Sequence, residues 1–145
     1  MLIRNRWGII LFAVVLLIGC SKPQRGGPRE KTFPVTGVVE VDGEAAEGIE
    51  VACHPEPGSS AIKYPVTTFT DANGAFSVGT YQSGDGLPEG TYTLAFKWEV
   101  PGPGTPINKL SRAYADPTKS THKVTVVKGE PNDLGTIELS TKGPG

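Results

Sequence analysis

From Phe33 onward no stretch of ten or more residues carries a helical period, and short alternating runs are cut at close intervals by glycine and proline. Glycine supplies backbone freedom at turns, and proline removes a donor that a helix or a central strand needs. The pattern therefore predicts an all-β domain of short strands joined by tight turns. The clearest strand is Thr91 to Glu99: Tyr92, Leu94, Phe96 and Trp98 share one face, and Thr91, Thr93, Ala95, Lys97 and Glu99 the other. Successive side chains point to opposite faces, so the first set is assigned to the core and the second to solvent. Six more segments read as strands: 35–41, 49–54, 65–70, 76–78, 122–127 and 134–139. Val35, Val39, Val41, Ile49, Val51, Cys53, Val124, Val126, Ile137 and Leu139 are their core positions. Seven strands at this spacing predict a Greek-key β-sandwich over residues 33–140, with 141–145 as a disordered tail.

Composition narrows the function classes. A chain of 145 residues holds one domain and a short appendage. With 20% charged and 37% hydrophobic residues it has the material for a core. A formal charge of −1 argues against a nucleic-acid binder. Two cysteines and two histidines are too few for a disulfide framework or a multi-ligand zinc site.

Two turns carry specific chemistry. In Asp71-Ala72-Asn73-Gly74 the Asp71 carboxylate accepts bonds from amides two or three residues on, and Gly74 takes a positive φ; it reads as a hairpin turn leading to Phe76. In Leu87-Pro88-Glu89-Gly90, Pro88 presets φ and Gly90 closes the turn. Tyr92 follows, with a hydroxyl able to tie down a neighbouring loop. The proline-rich zone 100–121 has only Ile107, Leu110 and Tyr114 as bulky apolar residues; it reads as a long loop between sheets and the surface on which function is expected.

The first twenty residues are of another kind. Arg4 and Arg6 precede an uncharged run from Trp7 to Gly19, 13 residues long and short of the ~20 that a spanning helix needs. The run ends Leu17-Ile18-Gly19-Cys20, which resembles the bacterial lipobox. That resemblance implies a signal peptide over 1–19, cleavage before Cys20, and a lipid carried on the Cys20 thiol. Loss of Arg4 and Arg6 from the 14 basic residues leaves 12 against 15 acidic ones, a mildly acidic mature chain. Residues 20–32 then form the lipidated cysteine and a flexible tether, whose Lys22, Arg25, Arg29 and Lys31 sit in a stretch spanning on the order of 20 Å. The expected location is the cell membrane or outer membrane, with the domain on the periplasmic side or at the surface.

Three segments carry a second resemblance: Gly37 to Gly43 with Gly48 to Val51, Thr70 to Phe76, and Gly86 to Leu94. In this order they are similar to the transthyretin-like, carboxypeptidase regulatory-like β-sandwich family, and Tyr114-Ala115-Asp116-Pro117 fits the same group. Ala45-Ala46 stands where that family often has a proline. The resemblance implies a non-enzymatic envelope module for a protein, an envelope polymer or another copy of itself; the alternative is a small-molecule carrier resembling transthyretin. The enzymatic relative, hydroxyisourate hydrolase, ends in Tyr-Arg-Gly-Ser, whereas this chain ends Thr141-Lys142-Gly143-Pro144-Gly145. The peptidase zinc site of the carboxypeptidases belongs to a separate domain.

Neither a catalytic residue, a cofactor nor a metal is assigned. Cys53 and His54 are neighbours, but on a strand they face opposite ways, so Cys53 is read as core and His54 as surface. His122 opens a strand with no predicted partner. Asp71, Asn73, Asp85, Glu89 and Asp116 offer oxygen ligands for calcium, yet their spacing fits no EF-hand loop and turn chemistry already accounts for Asp71 and Asn73. Of the aromatic residues, Trp98 is assigned to the core, and Tyr64 and Tyr81 to structural roles.

Overall fold

The computed structural model describes residues 28–145; the expected signal peptide over 1–19, Cys20 and the expected tether up to Gly27 lie outside them. The described chain is predominantly strand. β1 (Thr32–Phe33), β2 (Val35–Val41), β3 (Glu44–Ala45), β4 (Glu50–Pro55), β5 (Val66–Phe69) and β6 (Ala75–Ser77) are followed by β7 (Leu87–Pro88), β8 (Gly90–Lys97), β9 (Glu99–Val100) and β10 (Ile107–Asn108). A single helical turn, α1 (Arg112–Ala115), precedes β11 (Lys123–Val126) and β12 (Asn132–Leu139). All seven segments read as strands are strands.

Two sheets enclose one core. The first runs β11-β8-β4-β5 and is antiparallel throughout. In the second, β2 pairs with β12 on one edge and with both β3 and β6 on the other. The β12–β2 pair is parallel; alternation reports which residues face inward but not strand direction. Val35, Val39, Val41, Phe76, Ile137 and Leu139 from one sheet pack with Val51, Cys53, Val66, Tyr92, Leu94, Phe96, Val124 and Val126 from the other in one buried cluster. In β2 the buried positions alternate strictly, and Asp42 (φ 52°) and Gly43 (φ 86°) then turn the chain into β3 with the paired positive φ values that suit a twisted hairpin.

Four expectations need correction. The turn at 71–74 does not join a hairpin: β5 pairs with β4 in one sheet, and β6 pairs with β2 in the other, Phe76 lying opposite Gly37. Asx-turn chemistry is local and does not state whether the strands it joins will pair. Leu87–Pro88 is a short strand against Thr32–Phe33 rather than part of one turn. The zone 100–121 contains the β9–β10 hairpin and α1, with Ser111 capping the helix through Ala113 N–H. In β8 the outward Thr93 and Ala95 are buried like the inward residues, because a central strand with small side chains is overlapped by its neighbours, whereas Trp98, beyond the end of β8, is only half-buried. The Lys109 ammonium covers it 3.9 Å from the ring centroid.

The strand directions give the domain two ends. β2 and β8 both begin where β1 meets β7, and both run away from it. At this entry end Glu30 N–H donates to the Tyr81 hydroxyl, and the Arg29 guanidinium lies 5.4 Å from the Tyr81 ring centre. At the far end stand the 42–43 and 71–74 turns, the β9–β10 hairpin, and Thr141, whose hydroxyl and N–H both bond to the Asp42 carboxylate.

Candidate functional site

The residues singled out for turns each hold a defined position. The Asp71 carboxylate accepts the N–H groups of Asn73 and Ala75 at 2.9 and 3.0 Å, and Gly74 has φ 72°. A Cβ on Gly74 would stand far inside contact distance of the Val39 carbonyl oxygen, which is backbone and cannot move aside. At Gly90 (φ 149°) it would meet Ser59 O at 2.6 Å. The buried Pro88 offers its carbonyl to the Tyr92 hydroxyl at 2.9 Å, and that hydroxyl also meets Ser60 Oγ at 2.7 Å. A tyrosine near the start of a strand, bonded four residues upstream, locks the corner between β7 and β8.

The nucleophile and the histidines do not come together. Cys53 is wholly buried in the core, and burial pushes its thiol up to about 12. His54 lies on the opposite face, half-buried rather than at the open surface, and desolvation together with nearby Lys97 lowers its pKa. His122 packs edge-on against Phe96, ring centres 5.4 Å apart at 89°; desolvation lowers its pKa as well. Alternation gave no sign of this contact, since His122 stands just ahead of β11.

The carboxylates considered for calcium are dispersed in separate turns. Asp85 accepts the N–H groups of Thr80, Tyr81 and Gln82. Asp116 accepts the N–H and hydroxyl of Thr118, and those bonds lower its pKa. Among the described residues there is no group of three or more His, Cys, Asp or Glu placed to hold a metal ion. Nor is any helix among them long and apolar enough to cross a membrane.

What remains is a set of open surfaces. A cleft of about 480 Å³ lies between the β11 and β12 edges, with Leu94, His122 and Lys123 on one wall and Leu134, Thr136 and Glu138 on the other. A second, of about 390 Å³, crosses the outer face of the β8 sheet; Thr93 is its floor, 54–57 and 117–120 are its walls, and the Glu56–Lys123 ion pair spans it. A third follows β5, from Thr67 to Phe69, facing the 79–84 loop. At the end opposite the entry stands the β9–β10 arm, whose tip is Pro101-Gly102-Pro103-Gly104-Thr105-Pro106 and whose Ile107 is exposed. Asn108 Oδ1 fixes its base by accepting the N–H groups of Trp98 and Leu110 at 2.9 and 3.1 Å.

No family model matches the chain, and no curated protein matches it. Among solved structures, a 9R-lipoxygenase from Cyanothece is 15% identical with a TM-score of 0.42, over 82% of this chain and 18% of that one. A candidate carbohydrate-binding protein of Pseudomonas aeruginosa is 16% identical with a TM-score of 0.42, over 78% of this chain and 90% of the other. The major pilin subunit of Bacillus cereus is 16% identical with a TM-score of 0.41, over 75% of this chain and 30% of the other. The chain thus spans less than a fifth of the lipoxygenase. Likeness at this level carries neither family nor function to this protein.

Proposed function

We propose that the chain is a lipid-anchored, non-enzymatic envelope protein whose transthyretin-like sandwich is a binding module for a protein, an envelope polymer or another copy of itself. One observation carries this reading: the chain enters the domain at the β1–β7 end, while the β9–β10 arm, which follows the end of β8, lies at the opposite end. A lipid on Cys20 then holds the entry end toward the bilayer and leaves the arm facing away from it. The thiol is buried, and the imidazole next to it in sequence points to the other face, so this pair is not arranged as a nucleophile with its base. Crosslinking the full-length protein to purified envelope fractions tests the reading. Capture that is lost when the arm tip is shortened supports it, and turnover of an envelope component by the purified protein overturns it.

A further inference from the structure

Within that reading, we propose that β5 is a self-pairing edge, and that two copies of the chain join β5 to β5 antiparallel about Thr68. Free edges in natural sheets are blunted by charge, bulges or cover. β12 has a register shift between Asp133 and Thr136, where Gly135 turns to φ 63° and donates to Asp133 Oδ1. β11 begins with Lys123 and is followed closely by Lys128. β3 and β6 are two and three residues long and share one flank of β2. β5, by contrast, reads Val-Thr-Thr-Phe with no charge, proline, glycine or bulge, and ends in Phe69, 61% exposed.

The register makes this edge complementary to itself. Thr70 N–H donates to Ile49 O, so by alternation Thr68 and Val66 also bond toward β4. The N–H and C=O groups of Thr67 and Phe69 therefore point away from the sheet. Two such edges, antiparallel about Thr68, set Thr67 of each copy against Phe69 of the other and form four backbone hydrogen bonds. Thr67 and Phe69 share the outer face, so each Phe69 ring lies over the second copy's Thr67. The two rings are diagonal neighbours, with Cα atoms about 7–8 Å apart, within aromatic reach. The acidic end of β5, beyond which lies Asp71, meets the basic end, before which lies Lys63. A groove of about 380 Å³ separates Thr67–Phe69 from the 79–84 loop on this flank, and the Thr68 hydroxyl donates to Ser77 O at 3.0 Å beneath it. Confinement to a membrane raises the effective concentration of copies, which lets a short pairing suffice.

The test is a cysteine crosslink in the full-length protein in its native membrane. Across the axis Thr68 faces Thr68, a non-hydrogen-bonded pair whose Cα spacing of about 4.5 Å suits a disulfide. Thr68→Cys, oxidised with copper–phenanthroline, is expected to give a product of twice the chain mass, with the wild-type protein setting the background from Cys20 and Cys53. Thr125→Cys on β11 is expected to give none above that background, and Phe69→Lys added to Thr68→Cys is expected to cut the product several-fold. Equal crosslinking at 68 and 125, or a Thr68→Cys product with a different chain, overturns the proposal. Energy transfer between donor- and acceptor-tagged wild-type copies in the same lipid vesicles is independent of how that variant folds, and transfer no greater than that between non-interacting lipid-anchored proteins at the same density also overturns it. A monomer that still loses capture on shortening of the arm leaves the binding-module reading standing.

Discussion

Gly74 is the residue at which the backbone leaves least choice. Its φ of 72° is already unfavourable for a side chain, and the Val39 carbonyl occupies the space a Cβ needs while Val39 N–H donates to Gly74 O at 2.7 Å. Gly74→Val is expected to destabilise by on the order of 1–3 kcal/mol or more, through strain and a displaced strand pairing. Asp71→Ala leaves two amide donors to water at an exposed turn, and its expected cost is roughly 1 kcal/mol. Chemical denaturation of both variants checks this; unchanged midpoints would remove the turn from the stability account. The two imidazoles give a pH-dependent term. Burial lowers the pKa of both His54 and His122 in the folded chain, so the unfolded chain binds protons more readily. Their contribution is present above the unfolded value of about 6.5 and is lost as pH falls through that value toward the lower folded ones. Melting temperatures should therefore fall between about pH 7 and about pH 5, and His122→Gln should flatten part of that fall. A slope unchanged by the substitution would place the effect elsewhere.

At the scale of elements, what the sequence discloses depends on how local each signal is. The burial of β2 was legible because Val35, Val39 and Val41 alternate cleanly, and the 71–74 turn because Asp71 and Gly74 sit at fixed offsets. That β5 and β6 belong to different sheets was not legible, since the turn between them is stabilised by its own atoms and the sorting is decided by pairing with Val51 and Gly37, distant in sequence. The β9–β10 arm was hidden for a similar reason. Its strands are two residues each, and much of their support comes from Asn108, whose side-chain oxygen holds Trp98 and Leu110. No periodicity announces a hairpin this short, whose base is held by the Asn108 side chain and by Lys109 N–H donating to Trp98 O. Asn108→Ala is accordingly expected to cost about 1–2 kcal/mol, two half-buried donors losing their acceptor. Replacing 101–106 by Asn-Gly, which closes Val100 onto Ile107 in a two-residue hairpin, is expected to change stability by less than about 0.5 kcal/mol. Thermal melts of the two variants separate the base of the arm, which is structural, from its tip, which is free to serve a partner. Equal losses in both would merge them.

For the whole molecule, the question is how a domain with two distinct ends is held. In the proposed anchor, the uncharged 13-residue run behind Arg4 and Arg6, short of the ~20 residues a spanning helix needs, would bring Cys20, after Leu17-Ile18-Gly19, to the membrane surface. One acyl chain, at ~0.8 kcal/mol per buried CH₂, attaches only reversibly, whereas two or three anchor durably. The protein is therefore expected to resist salt extraction and to partition into detergent. Cys20→Ser should leave a larger, unlipidated precursor. The domain should nonetheless melt at the wild-type midpoint, because its core begins at Phe33 and every residue in the buried cluster lies beyond Cys20. Intact-mass analysis of the membrane-extracted chain decides the matter. A mature wild-type protein that starts at any residue other than Cys20, or that carries no added lipid mass, would overturn the anchor and with it the assignment of the β1–β7 end to the bilayer side.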